Sequence, residues 1–409
     1  MTDDVGTDST PAQLASTWDA LLAAFEQAGQ DSVWQHRLAS TDQDRAEGMR
    51  HLLGLVHAGY LMELVNGDPA YPTFASVCSA FYPWAYPNPD CRYDAAPVHG
   101  DHTYRVYGRR GGAAVVNAEI YQGRMDDVTT FHTFANRDIP EDIPEDIQEG
   151  EEFELVLSRE PQDGLWLELP PGPGMVWLRQ YFGDWDTEEP GDFYIERDGA
   201  VFPPPPDTAQ VLNQRLGALA RTIQSLPRVS VGAAGKHATA PTDRIEFPPL
   251  DWGMSGREGD HLGFGAVQYG QAHYALDEDQ AAIITVTPPD CAYWQFQLLN
   301  AVWTAPNFHY RQLSVNNRQA HLDDDGMFRA VIAHRDPAVP NWLDTEGRHT
   351  GLIGGRYYRT DTAPEPVVEV VPFDRIRDHL PAEHPTVTPQ ARSATLQRRL
   401  HAVQRRNRG

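Results

Sequence analysis

The sequence predicts a mainly β protein with helical additions: two jelly-roll-like antiparallel β-sandwich domains, a helical N-terminal segment and an interdomain helix. Three observations carry this expectation. Short runs of alternating or β-branched residues, bounded by Gly, Pro and Asp, recur in both halves of the 409-residue chain. The 33 prolines and 33 glycines are spread without a period, as turn residues between many short strands are. Apolar residues at helical spacing are confined to a few stretches, near the N-terminus, at mid-chain and near the C-terminus.

The expected units are a helical segment over 1–70, a first sandwich over 71–200, a proline-rich linker and helix over 201–240, a second sandwich over 241–375, and a basic helix or tail over 376–409. In the first, Leu14, Trp18, Leu21, Leu22 and Phe25 share a helical face. A second helix starts near Asp42, carries Met49, Leu52, Leu53, Val56, Tyr60 and Leu64 on one stripe, and stops at Asn66 and Gly67. Residues 71–101 are rich in aromatics and proline without a clear period, so they read as a packed, irregular connection.

Strand patterns follow at 103–108, 112–121, 153–158, 165–169 and 175–182, interrupted by an acidic insert at 138–152 that reads as a solvated loop. The prolines of 201–207 favour a stiff extended segment, and Val211, Leu212, Leu216, Leu219 and Ile223 then mark a helix between the two sandwiches. The second set of strands is expected at 265–276, 282–288, 293–300, 328–334 and 366–373. Leu396, Leu400 and Val403 give the arginine-rich C-terminus the beat of a helix that packs on an acidic body.

Composition narrows the partners. A net charge of −25 opposes approach to a phosphate backbone or an anionic lipid surface, so neither nucleic acid nor membrane is expected. Lys236 stands alone among 33 basic residues, a bias that fits codon usage without special chemistry. Three cysteines without a CxxC pair, and an acidic N-terminus unlike a signal peptide, fit a cytoplasmic protein.

Four segments concentrate polar chemistry. In 86–93, Asp90 and Tyr93 are set among prolines and form either a local turn or a carboxylate and phenol facing a pocket. In 179–190, Arg179, Asp184, Trp185 and Glu188 follow a strong strand, suited to acid–base work or sugar stacking, or else to a core tryptophan ringed by solvated acids. In 293–297, Tyr293, Gln295 and Gln297 share the strand face opposite Trp294 and Phe296, which places them toward solvent or a cavity. In 334–356, Asp336, Trp342, Asp344, His349 and Arg356 crowd a loop and the next strand. The sixteen histidines form no HxH, HxxxH or HExxH pair, so no metal is expected unless distant strands assemble a site. Nucleophile-elbow, Walker and dinucleotide-binding motifs are missing, and no cofactor is expected.

The order of segments GMRHLLGLVHAG, NPDCRY with TYRVYGRRG, RQYFGDWDTEEP, YWQFQLLNAVW and DPAVPNWLDTEG resembles bacterial proteins carrying domain of unknown function 1214, often found with domain 1254. The resemblance spans about 40–373, with the named domain within about 265–373. It implies two jelly-roll-like sandwiches joined by helices and supplies no activity or catalytic residue.

The residues lead to a small or sugar-like hydroxylated ligand. One reading is a hydrolase or lyase using Asp90, Asp184, Glu188, Asp336 and Asp344 for acid–base chemistry, with Tyr93, Arg179, Trp185, Tyr293, Gln295, Trp342, His349 and Arg356 holding the substrate. The other is a non-catalytic binding protein, with Trp185 and Trp342 as stacking platforms, or a structural subunit of an assembly. The sequence alone leaves open whether the chain is an enzyme, and its oligomeric state.

Overall fold

A computed structural model describes residues 11–127, 131–139, 153–248 and 267–407. The acidic insert from 140 onward and the start of the 265–276 strand pattern lie outside the described residues. No helix among those described is long and apolar enough to cross a membrane.

Helix α1 (Pro11–Gly29) and helix α2 (Asp42–Gly59) each run on into a π-helical turn, Gln30–Trp34 and Tyr60–Val65, and both lie against the long helix α3 (Ala209–His237). The α2 start is sealed by a capping box: Thr41 Oγ1 accepts from Asp44 N–H at 3.1 Å, and Asp44 Oδ2 accepts from Thr41 N–H at 3.0 Å. Thr41→Ala should therefore cost about 1 kcal/mol, read as a lowered urea midpoint at unchanged slope.

The helical packing differs from expectation in which face is buried. The contact between α1, α2 and α3 is made by Ala24, Ala28, Leu52, Leu219, Ala220 and Ile223, whose small members let the helices approach closely. Trp18, Leu22, Phe25, Met49, Leu53 and Tyr60 are left exposed. Helix α3 also continues past Pro227, a residue type that usually ends or kinks a helix. A proline costs a helix one backbone hydrogen bond, but Ser230, Ala233, Ala234 and His237 beyond it are all buried against the body.

The strands form four mainly antiparallel sheets, grouped as two sandwich-like units. In the first unit β1 (Ala75–Cys78), β2 (Cys91–His99), β8 (Pro173–Tyr181), β4 (Val115–Gln122) and β5 (His132–Asp138) form one sheet in that order. It faces the sheet β7 (Leu165–Glu168), β6 (Phe153–Ser158), β3 (Tyr104–Gly111), β9 (Pro190–Arg197). Val98, Val116, Ile120, Val176 and Leu178 of the first sheet meet Val106, Phe153, Leu155 and Leu157 of the second in the core.

The second unit pairs the sheet β10 (Val267–Ala275), β16 (Thr350–Tyr358), β12 (Tyr293–Leu299), β13 (Ser314–Asn316) with the sheet β15 (Trp342–Asp344), β14 (Phe328–Ala333), β11 (Gln280–Val286), β17 (Val367–Pro372). Phe296, Ile353 and Tyr357 pack there on Ile284, Phe328 and Ile332. Two pairings, β6 with β7 and β14 with β15, are parallel.

Two interior strands fall where the sequence shows no strand pattern. The 71–101 segment contains β2, paired on one side to β8 along its whole length. Pro97 is tolerated there because β1 pairs only as far as Ala95, so a single ladder exists at the proline. Strand β16 carries Gly351, Gly354 and Gly355. A Cβ at Gly354 would collide with the phenol of Tyr86, so that glycine makes room for a side chain from the first unit.

The chain closes with a 3-10 turn, Phe373–His379, and helix α4 (Pro389–Arg406), capped by Thr388. Its buried face is Arg392, Arg399, Ala402, Val403 and Arg406, while Leu396 and Leu400 are only half-buried. Arginine, rather than leucine, seats the helix.

Candidate functional site

The outer faces of the two sandwiches meet, and three of the four polar segments converge at that junction, joined by Arg356 alone of the fourth. Residues 86–90 cross from the first unit to the β12–β16 surface. Asn88 Nδ2 donates to Tyr293 Oη at 2.9 Å, and Tyr293 Oη donates to Asp90 Oδ2 at 2.7 Å. Trp185 Nε1 donates to Asp90 Oδ1 at 2.8 Å, and Gln295 Nε2 donates to Asn88 Oδ1 at 3.0 Å. Arg356 donates to Gln295 Oε1 at 2.8 Å, to Gln297 Oε1 at 2.6 Å and to the Tyr86 carbonyl at 2.7 Å, with its guanidinium 4.0 Å from the Tyr86 ring centre.

Asp90, Tyr293, Gln295 and Gln297 are wholly buried. The polar face of β12 therefore opens neither to solvent nor to a cavity, as the strand pattern suggests, but is covered by the first unit. Burial pushes the Asp90 carboxyl above its ordinary range, against the Tyr293 hydroxyl and the charges of Arg406 and Arg399. Burial likewise pulls both of those guanidinium groups down to about 10. Each cost is borne because the groups answer one another.

Tyr93 and Arg179 extend the cluster into the first unit. Tyr93 Oη accepts from Asn88 N–H at 2.9 Å, and the Arg179 guanidinium lies 5.8 Å from the Tyr93 ring centre. Arg179 is buried against Glu119 and donates to Tyr121 Oη at 2.8 Å, so its charge is met inside the sheet.

Helix α4 covers this junction and forms one wall of an open cleft of about 340 Å³, whose other walls are 184–186, 312–319 and Pro340. Arg392, Arg399 and Arg406 are spaced seven apart, two turns of helix, and so lie along one stripe. Arg399 and Arg406 each stand 4.2 Å from the centre of the Trp185 ring, and Arg392 stands 5.2 Å from that of Trp342. Neither tryptophan is thus the open stacking platform expected of it: each is buried and already covered by an arginine.

The remaining carboxylates divide. Glu188 accepts from the backbone N–H groups of Gly183, Asp184 and Ala114 at 2.8, 3.0 and 3.2 Å, and burial raises its pKa. It holds the turn that carries Trp185. Asp184 is kept below the ordinary range by the Thr187 hydroxyl and the Asp186 N–H, a local turn at the cleft edge.

Asp336 pairs with Arg392 at 3.0 Å, and Asp344 with Arg311 at 2.8 Å. His349 bonds the Leu276 carbonyl at 2.9 Å and precedes β16, roughly 23 Å along the strand from Arg356 at about 3.3 Å per residue. His349 therefore stands apart from the junction, Asp344 is taken up by Arg311, and the 336–342 segment reaches the cleft through Arg392, Gln312 and Pro340.

Residues that sequence reasoning passed over are Arg318, Arg392, Arg398 and Arg399 of the cleft, with Gln312 and Gln319. The seven-residue arginine spacing was the available signal. It reads as a solvated helix face unless an aromatic and acidic surface is known to lie opposite.

No protein-family model matches the chain, and no curated protein matches it. Among solved structures it is similar to an uncharacterised protein from Burkholderia cenocepacia, at 27% identity and a TM-score of 0.79, covering 89% of this chain and 99% of that one. The VPA0106 protein from Vibrio parahaemolyticus is matched at 12% identity and a TM-score of 0.44, over 86% of this chain and 100% of that one. The fold described above is thus shared almost end to end with the Burkholderia protein.

Proposed function

We propose that the chain binds a small, hydroxylated anion, of the sugar-acid type, in the cleft between α4 and the 312–319 segment. One observation carries this reading. Four guanidinium groups, Arg318, Arg392, Arg398 and Arg399, line the cleft, where Arg392 is paired with Asp336, Arg398 with Asp186, and Arg318 stands exposed, in a chain whose net charge is −25. A local reversal of sign against the overall field favours an anionic ligand. The partly exposed amide of Gln319 supplies a neutral group for a ligand hydroxyl, whereas Gln312 is held by Arg392 and the carbonyls of Pro340 and Trp342. The cleft volume falls within the ordinary range of small-ligand sites, about 300–1,000 Å³.

Arg318, exposed at the mouth, is the group to vary. Thermal-shift and calorimetric titration with galacturonate and gluconate should show binding that neutral hexoses do not. Arg318→Ala should weaken it about tenfold, or about 1.4 kcal/mol, without lowering stability. Equal binding of neutral sugars, or unchanged affinity in the variant, would contradict the proposal.

A second reading is carboxylate-assisted hydrolysis or elimination in the same cleft, for which Asp184 and Asp186 are the carboxylates that line it. Mass-spectrometric depletion of a bound ligand in the same panel decides between binding alone and turnover. Three unpaired thiols, Cys78, Cys91 and Cys291, support a reducing, cytoplasmic setting, and the segment order supports kinship with the domain-1214 proteins.

A further inference from the structure

We propose that His321, Asp323 and His384 form a binding site for a divalent transition-metal ion, of which Zn²⁺ is the best chemical match. The three come from separated stretches, the 317–327 loop before β14 and the segment after the 3-10 turn. One donor atom from each lies within 4.8 Å of the others. Asp323 Oδ1 stands 2.7 Å from His384 Nδ1 and 3.4 Å from His321 Nε2, and the two imidazole rings are 5.5 Å apart and nearly perpendicular.

Ligand atoms about 2.0–2.2 Å from a tetrahedral ion lie about 3.4 Å from one another, so the His321–Asp323 spacing already suits an ion between them. Two imidazoles and one carboxylate are a donor set that late first-row divalent ions prefer over Mg²⁺ or Ca²⁺.

The surroundings hold these donors in place. Asn341, itself buried, grips the His321 backbone from both sides, accepting from its N–H at 2.9 Å and donating to its carbonyl at 2.7 Å. Arg329 donates to the second Asp323 oxygen at 2.7 Å, which turns Oδ1 toward the histidines. Arg377 donates to the His384 carbonyl at 2.9 Å.

The His384 side chain has no solvent exposure, so its Nδ1 is held against Asp323 Oδ1 away from water, and their 2.7 Å contact has to open to about 3.4 Å to admit an ion. His321 is about one-third exposed and gives the ion a path in and room for water.

The competing account is that Asp323 merely ties Arg329 and His384 together, and the test separates the two. The full-length chain, stripped with chelator and titrated with Co²⁺, should take up one ion per chain with visible absorption bands, and Zn²⁺ should displace it. His321→Ala, which removes the partly exposed ligand and leaves the Asp323–His384 and Asp323–Arg329 bonds intact, should weaken binding at least about tenfold at unchanged melting temperature. His102→Ala, at a histidine outside the cluster, should bind normally. Absence of Co²⁺ uptake at about 100 µM, or His321→Ala binding as tightly as the wild type, overturns the proposal.

Discussion

Asp90→Ala should lower the unfolding free energy by about 3–5 kcal/mol, because it removes one side of a buried charge cluster while leaving the others in place. The Trp185 N–H and the Tyr293 hydroxyl lose their acceptor, and the buried Arg399 and Arg406 lose the carboxyl that offsets their burial. Asp90→Asn keeps the volume and one carbonyl oxygen and should lose less. Urea denaturation followed by tryptophan fluorescence gives both numbers. A loss below about 1 kcal/mol for the alanine variant would mean the cluster is not the joint between the two sandwiches.

Acid should weaken the protein through two buried histidines. Burial drops His51 and His237 from 6.5 to about 4. The structure gives the reason for His237: its Nε2 bonds the Ile353 carbonyl at 2.8 Å and its Nδ1 faces the Trp303 N–H at 3.2 Å. Tryptophan can only donate, so the ring must be neutral.

The unfolded chain takes up a proton near pH 6.5 and the folded one only near pH 4. Stability is thus full above pH 6.5 and falls through that window, by about 1.4 kcal/mol per histidine per pH unit. The buried Glu63, Asp90 and Asp94 shift upward and act in the opposite sense, so the histidine part must be isolated. Between pH 7 and 5 the wild type should lose about 2 kcal/mol more than His237→Gln. Equal losses would show that His237 titrates normally in the folded state.

Local pattern was enough for much of this fold. Phe153–Ser158 is a strand over the six residues its alternation marks, and Trp294 and Phe296 enter the second core as their strand face requires. Strands β2 and β16 escaped because Pro97 and three glycines carry turn signals, and their presence in strands depends on which neighbour lies beside them.

The exposed Trp18, Leu22 and Phe25 mark a different limit. Periodicity shows that a helix has an apolar stripe, but alanines on another face can make the closer contact.

The site was readable as a set of segments and not as an arrangement. Asp90, Trp185 and Tyr293 each stood out for their chemistry, yet the bonds that join them span sequence separations of 95 and 203 residues. The same holds for His321 and Asp323, which need His384, about sixty residues on, to become a cluster. The C-terminal sequence shows a basic helix that packs on the acidic body but not that arginine is its buried face, because a guanidinium is normally left in water, and burying three on one helix requires carboxylates, carbonyls and tryptophan faces already in place opposite.

The position of an anionic ligand decides the matter. In a crystal structure of the chain grown with galacturonate, the carboxylate should lie against Arg318 in the α4 cleft, with a hydroxyl on Gln319. Density elsewhere on the molecule, or an empty cleft at ligand concentrations that saturate binding in solution, would contradict it.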